Sequence, residues 1–309
     1  MQLRHLRYFV GIVDAGSFSR AAESIHVAQP ALSQQIAELE RELGVALFVR
    51  SARGVQPTPA GKALYNEALQ ILRRTEQLSS VIRADEAEPE GTVNIGLSSS
   101  FAAYVIGPLL VATRARLPKV KLSLTATDSD SVRNAILAGR LDLGLTFEDQ
   151  PSSRYDSLPL FRHRLYCVTA QHGMNDDGPI ALDTLAQLPL VLPHRPNVTL
   201  SVLDRAFAET HLTANVMTEV DQFPTMLAAV GQGVGVAVLP KADRSFPAMP
   251  GEHIHARSIE PPIVLTSTIV WPKRAALLPS AAGVRDVLAD FLRDHLGSEP
   301  VEGIEPVQA

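Results

Sequence analysis

Apolar residues Leu3, Leu6, Phe9, Val10 and Val13 recur at helical spacing and predict a first amphipathic helix ending near Gly16. Ser19 is placed to cap a short second helix over 20–25, whose Ala21 and Ala22 allow a neighbour to approach closely. A brief turn over 26–29 follows. Pro30 then stands where a third helix begins, because its missing N–H costs nothing there. Leu32, Ile36, Leu39 and Leu43 form the expected buried stripe of that helix, and Gly44 stops it. Its other face carries Ser33, Gln34 and Gln35, short polar side chains of the kind that can approach base edges. Two short strands are predicted over 47–50 and 55–58 around a turn at 51–54, with Arg50 and Arg53 near the tip. A hairpin placed directly after a helix-turn-helix is a wing suited to phosphate or minor-groove contact.

From 59 to about 84 the pattern predicts one long helix. Leu64, Ala68, Ile71, Thr75, Leu78 and Ile82 alternate by four and three, the spacing of a coiled-coil seam that would join a two-fold dimer, the alternative being a helix packed on its own domain. The acidic stretch 85–91, broken by Pro89 and Gly91, marks a hinge. Beyond it strands and helices alternate: strands over 92–97, 121–126 and 141–147 separated by helices over 101–116 and 131–138. This order predicts a parallel sheet covered on both faces. A second unit runs over about 165–261, with strands over 188–192, 215–220 and 234–239 and helices over 200–209 and 223–230. The strand 263–270 and the helix 282–296 return to the first unit. The expected organisation is therefore a DNA-binding head over 1–58, a linker helix and hinge over 59–91, and a two-lobed α/β domain over 92–296. Lobe I takes about 92–164 and 262–296, lobe II about 165–261, and the polar tail 297–309 is expected to be disordered.

Net charge is −5, yet residues 1–62 hold seven Lys or Arg against five acids, a local excess of two positive charges. The single cysteine, Cys167, excludes an internal disulfide framework, fits a reducing cytoplasm and reads as an apolar filler. No apolar run is long enough to span a bilayer, so no membrane partner is expected. The opening MQLRHLRYFV reads as a helix rather than a signal peptide, which argues against an exported solute-binding protein. Enzyme motifs are missing as well. Gly231, Gly233 and Gly235 lie between a helix and a strand, the reverse of a dinucleotide fingerprint, and His253 with His255 lacks a nearby third ligand. No catalytic, metal or cofactor site is expected. Ligands of open α/β sheets bind beyond the carboxyl ends of strands, and the first such edge here is Ser98, Ser99 and Ser100. Hydroxyls and free N–H groups at a helix start suit a carboxylate.

The first sixty residues closely resemble the DNA-binding domain of the LysR-type transcriptional regulators. The match runs through Phe9, Gly16-Ser17-Phe18, Ala21-Ala22, Gln29-Pro30-Ala31-Leu32-Ser33, Ile36, Leu39-Glu40, Leu43-Gly44, Leu47-Phe48, Arg50, Thr58 and Ala60-Gly61. Ala28 departs from it, standing where the family usually has a capping Ser or Thr, at a cost of about 1 kcal/mol. Within the family, the runs 7–14 and 27–35 look most like the nitrogen-assimilation-control branch. The resemblance implies a winged helix-turn-helix, a dimerising linker helix, and a two-lobed domain like a periplasmic binding protein. It also implies assembly as a homotetramer. An interrupted inverted repeat in promoter DNA would be bound through Gln29, Pro30, Ser33, Gln34, Arg50 and Arg53, with RNA polymerase as a further partner. By analogy with relatives, a small-molecule effector would meet Ser129, Thr146, Phe147, Asn197, Val198 and Thr199 in addition to the serine trio, with Arg195 supplying positive charge. Asp128 stands where the family often has Gly, and an acid there speaks against a strongly anionic effector.

Overall fold

The computed structural model describes residues 1–51, 54–82, 88–170, 178–241, 254–273, 277–298 and 301–307. The chain divides into two compact units: Met1–Glu86 with Ala138–Arg140, and Ala87–Leu137 with Leu141–Ala309.

In the first unit, α1 (Leu3–Ala15), α2 (Phe18–Ile25) and α3 (Gln29–Leu43) close around Phe9, Ile12, Ala21, Leu32, Ile36 and Leu39. Gly16 ends α1 with a left-handed φ of 61°, which glycine adopts without steric penalty. Helix α2 starts two residues earlier than the sequence suggests, with Ser17 rather than Ser19 preceding it. The cause is Phe18, which is buried edge-on against Phe48 at 5.6 Å. Leu43, expected in the buried stripe of α3, is 40% exposed. The helix outruns its core by one turn, and Leu47 fills the place instead.

The wing is β1 (Phe48–Ser51) paired antiparallel with β2 (Gly54–Pro57), Arg50 opposite Val55. Two acceptors anchor it. Glu40 of α3 takes the backbone N–H groups of Leu47 and Phe48 at 2.6 and 3.3 Å, and the Gly16 carbonyl takes that of Val55 at 3.2 Å. Thr58 then caps α4 (Pro59–Ile82), accepting the Gly61 N–H at 2.9 Å while donating to the Ala46 carbonyl at 2.8 Å. The predicted seam of α4 is only partly free. Ala68 packs with Leu72 on Leu6 of α1, beside half-buried Leu64, whereas Ile71 is exposed. The side chains of Leu78 and Ile82, and residues 85–87 of the expected hinge over 85–91, lie outside the described residues.

The second unit opens with β3 (Gly91–Ser98), α5 (Ser99–Arg116), β4 (Val120–Thr127), α6 (Ser129–Leu137) and β5 (Leu143–Glu148), whose strands pair in parallel, as expected, in the order β4-β3-β5. Next comes a single long strand, β6 (Tyr155–Ala170). The second lobe contains β7 (Ile180–Ala181), α7 (Leu182–Gln187), β8 (Leu190–Leu192), α8 (Val198–Glu209), β9 (Val216–Glu219), α9 (Phe223–Gly231), β10 (Val236–Pro240) and β11 (Ile254–Glu260). The chain returns through β12 (Val264–Pro272), α10 (Pro279–Gly297) and β13 (Ile304–Pro306). Strands follow one another as β4-β3-β5-β12-β6-β10-β8-β9.

Strand β6 belongs to both lobes: Tyr155–Arg164 pair with β12, and Leu165–Val168 pair with β10. Its first half escapes a reading by hydrophobic pattern because Pro159, Arg162, His163 and Arg164 interrupt the apolar run. A bulge at Ser267/Thr268 lets the ladder pass that proline, which has no N–H to contribute. Residues 301–307 of the tail are also ordered where disorder is expected. β13 pairs with β6, Ile304 opposite His163, and Val301 and Ile304 are buried. Two apolar anchors outweigh the polar composition around them.

Candidate functional site

Opposite the buried stripe of α3, Gln29, Pro30 and Gln34 are exposed and Ser33 is half-buried. Gln29 Nε2 donates to Ser33 Oγ at 3.3 Å, so the first turn of the helix presents a connected polar edge. Ala28 precedes the helix in extended conformation without a side-chain cap, and its departure from the family pattern leaves the first-turn N–H groups open. Gln35 turns away: its Oε1 lies 3.0 Å from Nε2 of His5, a buried residue of α1, and its Nε2 donates to Glu38. The backbone of Arg50 lies in β1; its side chain, and all of Arg53, are outside the described residues.

In the second unit a cavity of about 220 Å³ lies between the lobes, at the carboxyl ends of the strands. Ser98, Ser99 and Ser100 line it from lobe I, as do Ser129 and Phe147. Asn197, Val198 and Thr199 line it from lobe II, where Asn197 Oδ1 accepts from the N–H groups of Thr199 and Leu200 at 2.9 and 3.3 Å. Ser129 Oγ accepts the Phe147 N–H at 3.0 Å and so ties α6 to the end of β5. Across the cleft Phe223 N–H donates to Ser99 Oγ at 3.4 Å, a direct bond between the lobes.

Two expected positions fall elsewhere. Thr146 is fully buried beneath the sheet, donating to the Thr268 carbonyl, because alternate residues of a strand face opposite sides and Phe147 takes the cleft side. Arg195 is exposed and held by Asp204, outside the cavity lining. Sequence reasoning also missed Asp221, Gln222 and Phe223 at the end of β9, and Val238–Pro240 at the end of β10. The strand-end rule that singled out Ser98 points equally to these, once the strands of lobe II are placed.

Asp128, directly after β4, also lines the cavity. Burial works to raise its pKa, but hydrogen bonds from the Ser131 side chain and backbone and from Thr127 outweigh this and hold it below the ordinary carboxylate range. It is therefore ionised at neutral pH. Asp221 accepts the His194 N–H at 3.0 Å and lies 3.1 Å from its Nδ1.

A winged helix-turn-helix and a separate two-lobed ligand-type domain on one chain define a regulator of transcription that carries its own sensing domain. Residues 3–62 match the family model for the bacterial regulatory helix-turn-helix protein, lysR family, and residues 86–293 match the LysR substrate binding domain. The chain belongs to the LysR family: it is a DNA-binding transcriptional regulator with an effector-binding domain, not an enzyme. Among curated relatives, the nitrogen assimilation regulatory protein nac of Klebsiella aerogenes is 36% identical over 293 residues, covering 94% of this chain and 95% of that one. Its counterpart in Escherichia coli K12 is 37% identical with the same coverage. The regulator BenM of Acinetobacter baylyi is 31% identical over 254 residues, 80% of this chain and 82% of its own. The fold is that of full-length OxyR from Pseudomonas aeruginosa, with a TM-score of 0.74 at 24% identity over 100% of this chain and 98% of that one. It is also that of full-length CbnR in complex with target DNA, with a TM-score of 0.69 at 20% identity over 96% and 100%.

Proposed function

We propose that two copies of the chain, joined through α4, present two α3 helices to an interrupted inverted repeat upstream of the regulated gene. Gln29, Pro30, Ser33 and Gln34 meet the major groove, and Arg50 and Arg53 meet phosphate or minor groove. The observation that carries this reading is the polar edge of α3, exposed on the side opposite Leu32, Ile36 and Leu39. Two dimers pair into a tetramer on DNA. An effector carrying a carboxylate enters the cavity between the lobes, changes their closure, and so alters the packing of dimers and the bend of the promoter seen by RNA polymerase. The setting is the cytoplasm. No helix among the described residues is long and apolar enough to cross a membrane.

The test is a footprint of purified protein on DNA upstream of its own gene, repeated on fragments selected from the whole genome, with excess competitor and across a salt series. Protection of a two-fold site that weakens with salt is the expected result. Replacing Ser33 and Gln34 together with Ala should cost about 10–100-fold in selective binding while leaving nonspecific binding and its salt slope in place. Intact selectivity in that variant overturns the assignment of the reading helix.

A further inference from the structure

The cavity between the lobes is lined by two carboxylates, each also tied into the fold: Asp128 through Ser131 and Thr127, and Asp221 through His194. Ser98 and Ser100 are both more than nine-tenths buried, and the only side-chain hydrogen bond of either hydroxyl among the described residues is to the other, at 3.3 Å. Two hydroxyls sharing one bond leave one O–H donor without an acceptor, at a position lining the cavity. That donor is open to whatever occupies the cavity, and a ligand oxygen can replace water there. The first turn of α5 begins at the same point with no side-chain cap, in contrast to α8, whose first N–H groups are taken by Asn197. The positive end of α5 is thus open toward an anionic group.

On the same cavity stand Asp128 of lobe I and Asp221 of lobe II, while no Lys or Arg occurs among its described lining residues. Asp128 is kept ionised by its hydrogen bonds. A plain anion drawn to α5 would sit in the field of both carboxylates. A molecule that also brings a positive charge removes that conflict and occupies both halves of the pattern. The volume, about 220 Å³, is room for several waters and accommodates a single amino acid.

We propose that the effector is an amino acid, with its carboxylate at Ser98–Ser100 and the start of α5 and its ammonium group facing Asp128 and Asp221. This rests on the reading of the cavity as the effector site.

Titration calorimetry of the full chain tests it with three matched series: the proteinogenic amino acids with β-alanine and 4-aminobutyrate, the corresponding hydroxy acids, and the amines lacking the carboxyl group. The expected result is saturable binding of an amino acid at least about tenfold tighter than its hydroxy acid and its amine. Asp128→Asn keeps the cap on α6, since Asn caps as well as Asp, and should weaken the amino acid about tenfold or more while leaving the hydroxy acid as tight or tighter. If the hydroxy acid binds the wild type as well as the amino acid does, and Asp128→Asn changes neither, the inference falls and the cavity stands as a carboxylate site. If no series binds, and Ser100→Trp, which fills the cavity, leaves the promoter footprint unchanged, both the inference and the effector reading fall.

Discussion

At the centre of the second unit His163 of β6 is fully buried, edge-on to Phe147 at 5.0 Å and Phe101 at 5.8 Å. Its Nδ1–H donates to the Lys241 carbonyl at 2.7 Å, which leaves Nε2 to accept the Ser267 hydroxyl at 2.8 Å. Burial lowers its pKa from 6.5 to about 4, so the folded chain holds it neutral. The unfolded chain binds the proton more readily between those values, and stability therefore rises with pH across that window. Its contribution is complete above the unfolded value and is lost as pH falls toward 4, by up to about 3 kcal/mol. Urea midpoints from pH 7 to 4 should show this slope, and His163→Gln, whose amide can serve both partners, should flatten it relative to wild type. Gly61 is a second residue with a single reason for its identity. A Cβ there would lie 2.2 Å from the Leu47 carbonyl oxygen, which is itself fixed by the Thr58 N–H at 2.9 Å. Gly61→Ala should cost about 1–3 kcal/mol in denaturant unfolding of the first unit and weaken the footprint with it.

At the scale of elements, β13 is the clearest departure from what composition suggests. Ile304 is buried against β6, and Gly303 turns the chain at φ 77° with Tyr166 so close that a Cβ would meet its hydroxyl at 2.3 Å. Ile304→Ala should cost about 2–4 kcal/mol and lower the thermal midpoint of the second unit by several degrees, with earlier protease cleavage in the tail. In the DNA-binding head α1 and α3 were legible because each has an apolar stripe and a glycine directly after it, and α2 was legible only in part, since Ser17 and His26 flank it. Strands β3, β5, β8 and β10 were legible as short apolar runs next to helices. The first half of β6, together with β7, α7, β11 and β13, was not. Their pairing is long-range and carries the structure through positions where local sequence is charged, broken by proline, or too short to show a period. The cavity was half legible for the same reason. Lobe I presents its residues directly after well-marked strands, whereas Asp221–Phe223 and Val238–Pro240 depend on how lobe II is wound.

For the whole molecule, the face of α4 matters most, since it must serve both the head and the proposed dimer. Leu64, Ala68 and Leu72 are committed to α1, and Ile71 is left 38% exposed on a neighbouring face. Ile71→Asp should therefore shift the sedimentation equilibrium of the full chain toward monomer without lowering the stability of the head, whose core it does not enter. Loss of cooperative binding to the two-fold site would accompany it.

The continuity of β6 determines how the sensing domain can move. Its lobes share one hydrogen-bonded ribbon, paired on one side of the cleft with β12 and on the other with β10. Opening or closing must flex that ribbon, because the strand offers no free loop torsion at the crossing. The expected behaviour is that of a leaf spring with a rest angle, which a bound molecule would hold off that angle only while it stays. Rapid dilution of ligand should return the domain to its starting shape in one fast phase set by dissociation. A regulator built this way keeps no memory of a signal that has passed.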